Sequence, residues 1–293
     1  MLKEAVASVI NNGFPDFEIV ISDDGASRMV ASYVRSLKDP RIRYYAHKCT
    51  GISDNWSNAV KHAAAPLVMK LDDDDLLLPG FLGACVAFMR EHPSAAMVFA
   101  AHEIRYYNGK VRPMIDRDLF RDRDLVPGFE YGYSILMNKK RPLNHKSAGV
   151  YRTRLLRKIN YFDTITVDVF STVAMATLGD IGYLNRIMFV YRHHDKGNEG
   201  MSWRPLQMGI DSLPKLFDFS WVKRSPEWVS IKDAAIATTR MTLIFMYLSN
   251  LKKWGLKKEM TGFHDRIAAW YPEIAASADY RIFYFFVLHL PRG

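Results

Sequence analysis

Leu67-Val68-Met69-Lys70-Leu71-Asp72-Asp73-Asp74-Asp75-Leu76-Leu77-Leu78-Pro79 is the stretch that decides how this chain folds. Its aliphatic start, led in by Pro66, suits a short buried strand. Four carboxylates follow at the carboxyl end of that strand, and Pro79-Gly80 opens a helical stretch. Adjacent like charges repel and raise one another's pKa, so such a cluster makes sense where a cation neutralises it. Close-set carboxylate oxygens suit a hard divalent ion, Mn²⁺ or Mg²⁺, that takes its remaining ligands from phosphate or water. Taken alone, the aspartates also read as a solvated turn that caps the next helix. The flanking sequence has to decide.

Upstream, Leu2 to Val9 has helical spacing and stops at Asn11-Asn12-Gly13. Phe17 to Ser22 reads as a strand ending in Asp23-Asp24-Gly25. Met29 to Leu37 reads as a helix, Ile42 to Ala46 as a strand and Asp54 to Ala64 as a helix. This alternation predicts an α/β fold, a doubly wound, mostly parallel sheet with ligands at the carboxyl ends of its strands. Asp23-Asp24 and Asp72 to Asp75 both fall at such ends, which argues against a mere cap. A doubly wound unit normally opens on a strand, whereas this chain opens on a helix. The sheet is therefore expected to lack the strand before Leu2 and the loop after it.

Downstream, Ala96 to Tyr106 reads as a long strand and Asn108-Gly109 as a hairpin turn. Arg112 to Pro127 reads as an irregular loop. Phe129 to Met137, Arg152 to Ile159 and Val167 to Leu178 read as helices, and Ala148 to Tyr151, Ile181 to Leu184 and Ile187 to Tyr191 as strands. Beyond Ser202 strands disappear, and helices are expected over 231–251, 260–270 and 279–290. Two domains follow, residues 1–202 and a helical region 203–293.

At 293 residues, 49% hydrophobic and 24% charged, the composition is that of a globular protein with a substantial core rather than a disordered chain. The two cysteines, Cys49 and Cys85, form neither a disulfide framework nor a metal knuckle, which suggests a reducing cytoplasm. No apolar run reaches transmembrane length, and Lys3 and Glu4 interrupt any signal-peptide pattern. A net charge of +9 favours anionic partners, yet the basic residues are dispersed and no nucleic-acid-binding signature is present. A diphosphate substrate or a membrane surface fits better than nucleic acid.

With these pieces in order, the sequence from Leu2 to about Ser202 resembles the family-2 glycosyltransferases. These are inverting enzymes of GT-A fold that use nucleotide-diphosphate sugars. Phe17 to Ser27 looks like the family's uridine-binding strand and loop, and Gly51 to Ala59 is similar to the Asn-Trp-Asn helix of one bacterial subgroup. Leu71 to Pro79 is a DxD-type stretch, and Tyr191-Arg192-His193 with Ser202 resembles the closing motif. The resemblance implies that Asp72 and Asp74 bind the metal, with Asp73 near the ribose and the register along the run open by one. Asp23 or Asp24 would accept a hydrogen bond from uracil or ribose. Gly179-Asp180-Ile181-Gly182-Tyr183-Leu184 matches the tail that follows the family's catalytic base. Counting back reaches Val167-Asp168, where the family often has Glu-Asp, so Asp168 is the expected base, with Asp163 and Asp180 as alternatives. Arg192 suits a phosphate ligand, and His193 or His194 can bring a ring nitrogen to the diphosphate or metal. Lys196 to Ser202 reads as a loop that closes over the nucleotide.

The expected function is inverting transfer of a sugar from a nucleotide-diphosphate sugar, a UDP-sugar, to a saccharide or lipid-linked acceptor during surface polysaccharide or glycolipid synthesis. The tryptophans at 203, 221, 228, 254 and 270, with Lys252-Lys253 and Lys257-Lys258, suit peripheral contact with the inner face of a membrane. They also read as an ordinary helical cap. Two rivals stand: a nucleotidyltransferase, which would normally carry a glycine-rich phosphate loop not seen near the N-terminus, and a non-catalytic nucleotide-binding or scaffold protein with a degenerate site.

Overall fold

A computed structural model describes residues 1–48, 51–116, 118–137, 149–159, 167–194, 214–253 and 257–289. The chain divides into two compact units, Met1–Ile135 with Arg141–Asp195, and Leu136–Lys140 with Lys196–Gly293. The boundary expected near Trp203 lies outside the described residues, as do Cys49, Asp163, the Lys196 to Ser202 loop and Trp254.

The first unit runs α1 (Leu2–Ile10), β1 (Ile19–Asp23), α2 (Arg28–Leu37), β2 (Ile42–Ala46), α3 (Ile52–His62), β3 (Leu67–Met69), β4 (Leu76–Leu77), α4 (Phe81–Glu91), β5 (Ala95–Tyr106), β6 (Val111–Met114), β7 (Leu125–Val126), α5 (Gly128–Leu136), β8 (Gly149–Arg152), α6 (Thr153–Lys158), α7 (Val167–Ala176) and β9 (Asp180–His193). Local chemistry sets several of these boundaries. The Ser27 hydroxyl accepts from the Val30 N–H to cap α2, which ends on Lys38 in the left-handed region, at φ 51°. Buried Asn12 ties α1 to the start of α4: its Nδ2 donates to the Leu78 carbonyl at 2.9 Å, and its Oδ1 accepts from the Leu82 N–H at 2.9 Å.

β1 and β2 form a parallel pair. A second sheet of seven strands has the order β3-β8-β5-β9-β4, with β6 on β5 and β7 on β9. The α/β expectation holds, but parallel pairing does not predominate. Within the second sheet only β5 and β9 run parallel, while β3–β8, β5–β8, β4–β9, β5–β6 and β7–β9 are antiparallel. Parallel neighbours need a crossover of a dozen or more residues. The tight Asn108-Gly109 turn, with Gly109 at φ 82°, obliges β6 to return antiparallel. β6 and β7 also give regular structure to parts of the stretch read as an irregular loop. The two strands expected over 181–191 are one, β9, whose pairing with β5 shifts register beside Ala100 and Ala101.

β5 is buried from Ala95 to His102 and forms the spine of the core. On one face Phe81, Cys85, Phe88 and Met89 of α4 join Val98, Ala100 and Phe189. Elsewhere Phe99 contacts Phe120, Tyr131 and Tyr183 through edge-on or tilted rings. The Gly179 to Leu184 stretch is shaped by this packing. A Cβ on Gly179 would meet the Ser94 carbonyl at 2.5 Å, and one on Gly182 would meet the Phe88 ring at 2.1 Å.

The second unit is helical among its described residues: α8 (Pro226–Ser230), α9 (Lys232–Lys253), α10 (Lys257–Trp270), α11 (Pro272–Ala276) and α12 (Ala278–His289). Ile244, Leu248, Phe263, Ile267 and Tyr280 form its core. His264 Nδ1 lies 3.0 Å from the Tyr280 hydroxyl, and its ring stacks on Tyr284. Among the described residues no helix is long and apolar enough to cross a membrane.

Two outcomes follow. Gly182→Ala forces a methyl into the Phe88 ring and should lower unfolding stability by about 1–3 kcal/mol in urea titration. His102 is 4% exposed, and burial pulls its imidazole pKa down to about 4. The unfolded chain binds a proton at this residue near pH 6.5, while the folded chain refuses it until about 4. Stability should therefore fall as pH drops through that window, and His102→Gln should flatten this part of the profile in melts run across pH.

Candidate active site

The acidic run sits between β3 and β4 as a tight turn, closed by the Asp75 N–H on the Asp72 carbonyl at 3.2 Å. The turn gathers ligand atoms of Asp72, Asp74 and Asp75 within 4.8 Å of one another. Asp75 is fully buried, because it leads directly into β4, where Leu77 belongs to the core. Burial is the main cause that pushes its carboxyl up to about 7. The nearby Asp72 and Asp74 add to the rise, and an N–H from Arg192, donated at 3.1 Å to Oδ1, opposes it. Lys70 pairs with Asp72 and lies 4.1 Å from the centre of the Trp56 ring. Three convergent carboxylates, one of them buried against its charge, are the hard oxygen donor set that a divalent cation would relieve. The residues present fit such an ion.

β9 brings the closing motif to this turn. The Arg192 side chain donates to the Asp74 carbonyl through Nε, and to Glu4 of α1 through Nη1 at 2.6 Å. Among the described residues its Nη2 is buried without a hydrogen-bond partner. That ion pair holds the Glu4 carboxyl below its ordinary range. His194, not His193, approaches the acidic turn, with Nε2 3.2 Å from Asp74 Oδ2. His193 ends the strand beside Tyr106, with ring centres 5.1 Å apart. Neighbouring strand residues point to opposite faces, so only one of two adjacent histidines can reach a given site.

Asp23 and Asp24 play distinct parts at the end of β1. Asp23 accepts from the N–H groups of Gly25 (3.2 Å) and Ser27 (2.9 Å) and from the Tyr44 hydroxyl (2.8 Å), so its carboxylate shapes its own loop. Asp24 accepts from the Gly51 N–H at 3.0 Å. Just before them, the Ser22 hydroxyl donates to Asn55 Oδ1 at 2.5 Å and lies 3.0 Å from His47 Nε2. Asp23, Asp24, Asn55, Trp56, Asp72 and exposed Asp73 line one cavity of about 1050 Å³. Asp168 lies in the first turn of α7, with its side chain outside the described residues.

The structure therefore brings together Asp72 and Asp74 at the turn, and Asp23, Asp24 and Asp73 at the cavity. It adds Asp75 and His194 to the acidic turn. The signal for Asp75 was its place directly before the apolar Leu76-Leu77-Leu78.

The glycosyl transferase family 2 profile matches residues 1–159, more than half of the chain. The chain belongs to this family. A Campylobacter jejuni GalNAc(5)-diNAcBac-PP-undecaprenol beta-1,3-glucosyltransferase is 38% identical over 86 residues, 28% of each chain. An uncharacterized glycosyltransferase of Rickettsia bellii is 27% identical over 90 residues, 30% of this chain and 13% of that one. The aligned stretches thus span under a third of these relatives' lengths. Among solved structures, S. aureus TarS 1-349 in complex with UDP-GlcNAc gives a TM-score of 0.65 at 16% identity, covering 92% of this chain and 77% of that one. A second TarS 1-349 structure gives 0.64 at 15% identity, covering 98% and 82%. At such identity the likeness is one of fold, the GT-A fold.

The acidic turn makes a direct prediction. In Mn²⁺ titrations followed by calorimetry, Asp72→Ala and Asp74→Ala should each weaken binding about tenfold or more, since divalent affinity follows ligand charge. Asp73→Ala, outside the cluster, should change it little.

Proposed function

We propose that this chain transfers a sugar, with inversion, from a UDP-sugar to a hydroxyl of a saccharide or lipid-linked acceptor in the synthesis of a surface polysaccharide or glycolipid. The observation that carries the reading is the meeting of Asp24, Asp72 and Asp73 on one cavity beside a cluster of carboxylates. Membership of the family supports it. The name of the Campylobacter relative, which contains an undecaprenol diphosphate, supports a lipid-linked acceptor. Such an acceptor would bring the protein to the cytoplasmic face of a membrane.

The chemistry places negative charge on the departing nucleoside diphosphate. Asp72, Asp74 and Asp75 would hold Mn²⁺ or Mg²⁺, and such an ion supplies charge neutralisation to the diphosphate. Arg192 has a buried, unpartnered Nη2 with which to donate to a phosphate oxygen. Asp23 stiffens the loop that presents Asp24 to the nucleoside, and Asp73 stands at the cavity for the ribose. Inversion at the anomeric carbon needs a base that takes the acceptor's proton as the bond to the sugar forms. Asp168 would take that role, because counting back from Gly179-Asp180-Ile181-Gly182-Tyr183-Leu184 brings it to the place of the family's base.

The test has two parts. UDP with Mn²⁺ should raise the melting temperature of the wild-type chain and leave that of Asp74→Ala unchanged. A screen of UDP-sugars should find one that the wild type transfers or slowly hydrolyses. Asp168→Asn should then lower kcat about 10²–10⁴-fold with donor affinity unchanged. Full turnover by Asp168→Asn would overturn the base assignment, and absence of any UDP and Mn²⁺ effect would overturn the donor reading.

A further inference from the structure

Lys70 stands just past the end of β3 and two residues before Asp72. Its ammonium donates to Asp72 Oδ1, and its side chain is only 9% exposed. The same ammonium lies 4.1 Å from the centre of the Trp56 ring of α3. Its charge also reaches Asp75, where it opposes the repulsion from Asp72 and Asp74.

The other basic residues of the turn are engaged differently. Arg192 meets Asp75 through its main-chain N–H and Asp74 through that residue's main-chain carbonyl, while its guanidinium pairs with Glu4. His194 stands beside Asp74. Lys70 is the ammonium that pairs with the Asp72 carboxylate, one of the three that converge. A resident cation therefore already holds part of the place that a divalent ion would take.

Two cations that share one carboxylate repel each other, and the repulsion grows as water is excluded. A divalent ion arriving alone would meet that repulsion and would also strip Lys70 of its partner. A nearly buried ammonium without an anion is costly, so Lys70 resists the exchange. A diphosphate changes the balance. Lys70, Trp56, Asp72 and Asp73 line the same cavity as Asp24, which is where the proposed donor would lie. With an ion among the carboxylates and a diphosphate beside it, the negative charge that needs a partner is on the phosphate oxygens. Lysine suits such an exchange, because a compact ammonium on a four-carbon stem can be re-aimed. The face of Trp56 supplies a contact for the ammonium that does not depend on Asp72.

We propose that Lys70 is an exchangeable counter-ion, which holds Asp72 while the site is empty, opposes a divalent ion that comes alone, and moves its ammonium from Asp72 to the diphosphate when ion and nucleotide enter together. Lys70 is thus a positioning residue that makes ion binding and donor binding depend on each other. The inference rests on the donor reading above and adds to it the coupling between the two ligands.

The test titrates Mn²⁺ by calorimetry into the full chain, with and without saturating UDP, for the wild type, Lys70→Met and Lys70→Gln. Both variants remove the charge. Methionine keeps an apolar stem against Trp56, and glutamine keeps a donor for Asp72. Without UDP, both variants should bind Mn²⁺ about tenfold more tightly than the wild type. UDP should tighten Mn²⁺ binding to the wild type about tenfold or more, and this gain should shrink at least about fivefold in both variants. Mn²⁺ affinity that stays equal or falls in the variants would mean that Lys70 and the ion share Asp72 without conflict, and overturns the proposal. An undiminished gain from UDP overturns the transfer to the diphosphate. A change confined to one variant reports packing rather than charge and overturns it as well. If UDP leaves Mn²⁺ binding to the wild type unaltered while the variants still bind the ion more tightly, the donor reading fails and the counter-ion role at Asp72 stands.

Discussion

The long parallel ladder between β5 and β9 is the constraint on which the rest of the first unit depends. It pairs Ala95 with Asp180 at one end and Tyr106 with His193 at the other. β5 is buried on both faces, so a slip by one residue would exchange the side chains packed on α4 with those packed on Phe120 and Tyr131. The same register fixes where β9 ends. Arg192 arrives at Asp74 and Asp75 because the ladder holds it there, and His194 follows it onto Asp74. A packing decision made in the core thus becomes the electrostatic environment of the acidic turn.

That environment works against the carboxylates rather than for them. At Asp75 a main-chain N–H from Arg192 and the charge of Lys70 oppose burial and the repulsion of Asp72 and Asp74. Asp23, by contrast, accepts from two backbone N–H groups and a tyrosine hydroxyl of its own surroundings. Asp23 thus organises its own loop, whereas the carboxylates of Asp72, Asp74 and Asp75 converge on one another.

The sequence carried the alternation of elements up to β3, the position of both acidic clusters at strand ends and the helical character of the C-terminal region. Those signals are local, resting on periodicity, turn residues and adjacent charges. Strand order was not legible. Nothing in Gly149-Val150-Tyr151-Arg152 announces that β8 inserts between β3 and β5, because that depends on contacts distant in sequence. The choice between His193 and His194 was hidden for a related reason: it turns on which pleat face meets the acidic turn. Asp23 was read from its place at a strand end before Gly25, and its bond to the Tyr44 hydroxyl of β2 depends on a contact distant in sequence.

Asn12 links parts of the chain made at different times. Its side chain grips Leu78 and Leu82, and its carbonyl accepts from Gly80, across a separation of up to 70 residues. Ser8 likewise accepts from the Leu77 N–H. On a ribosome, α1 therefore emerges long before the groups that anchor it, and an isolated helix of nine residues is marginal in water. This helix should therefore become fixed later than its place ahead of α4 suggests. Until the α4 segment is synthesised, its apolar face stays exposed to whatever chaperone or membrane surface meets it first.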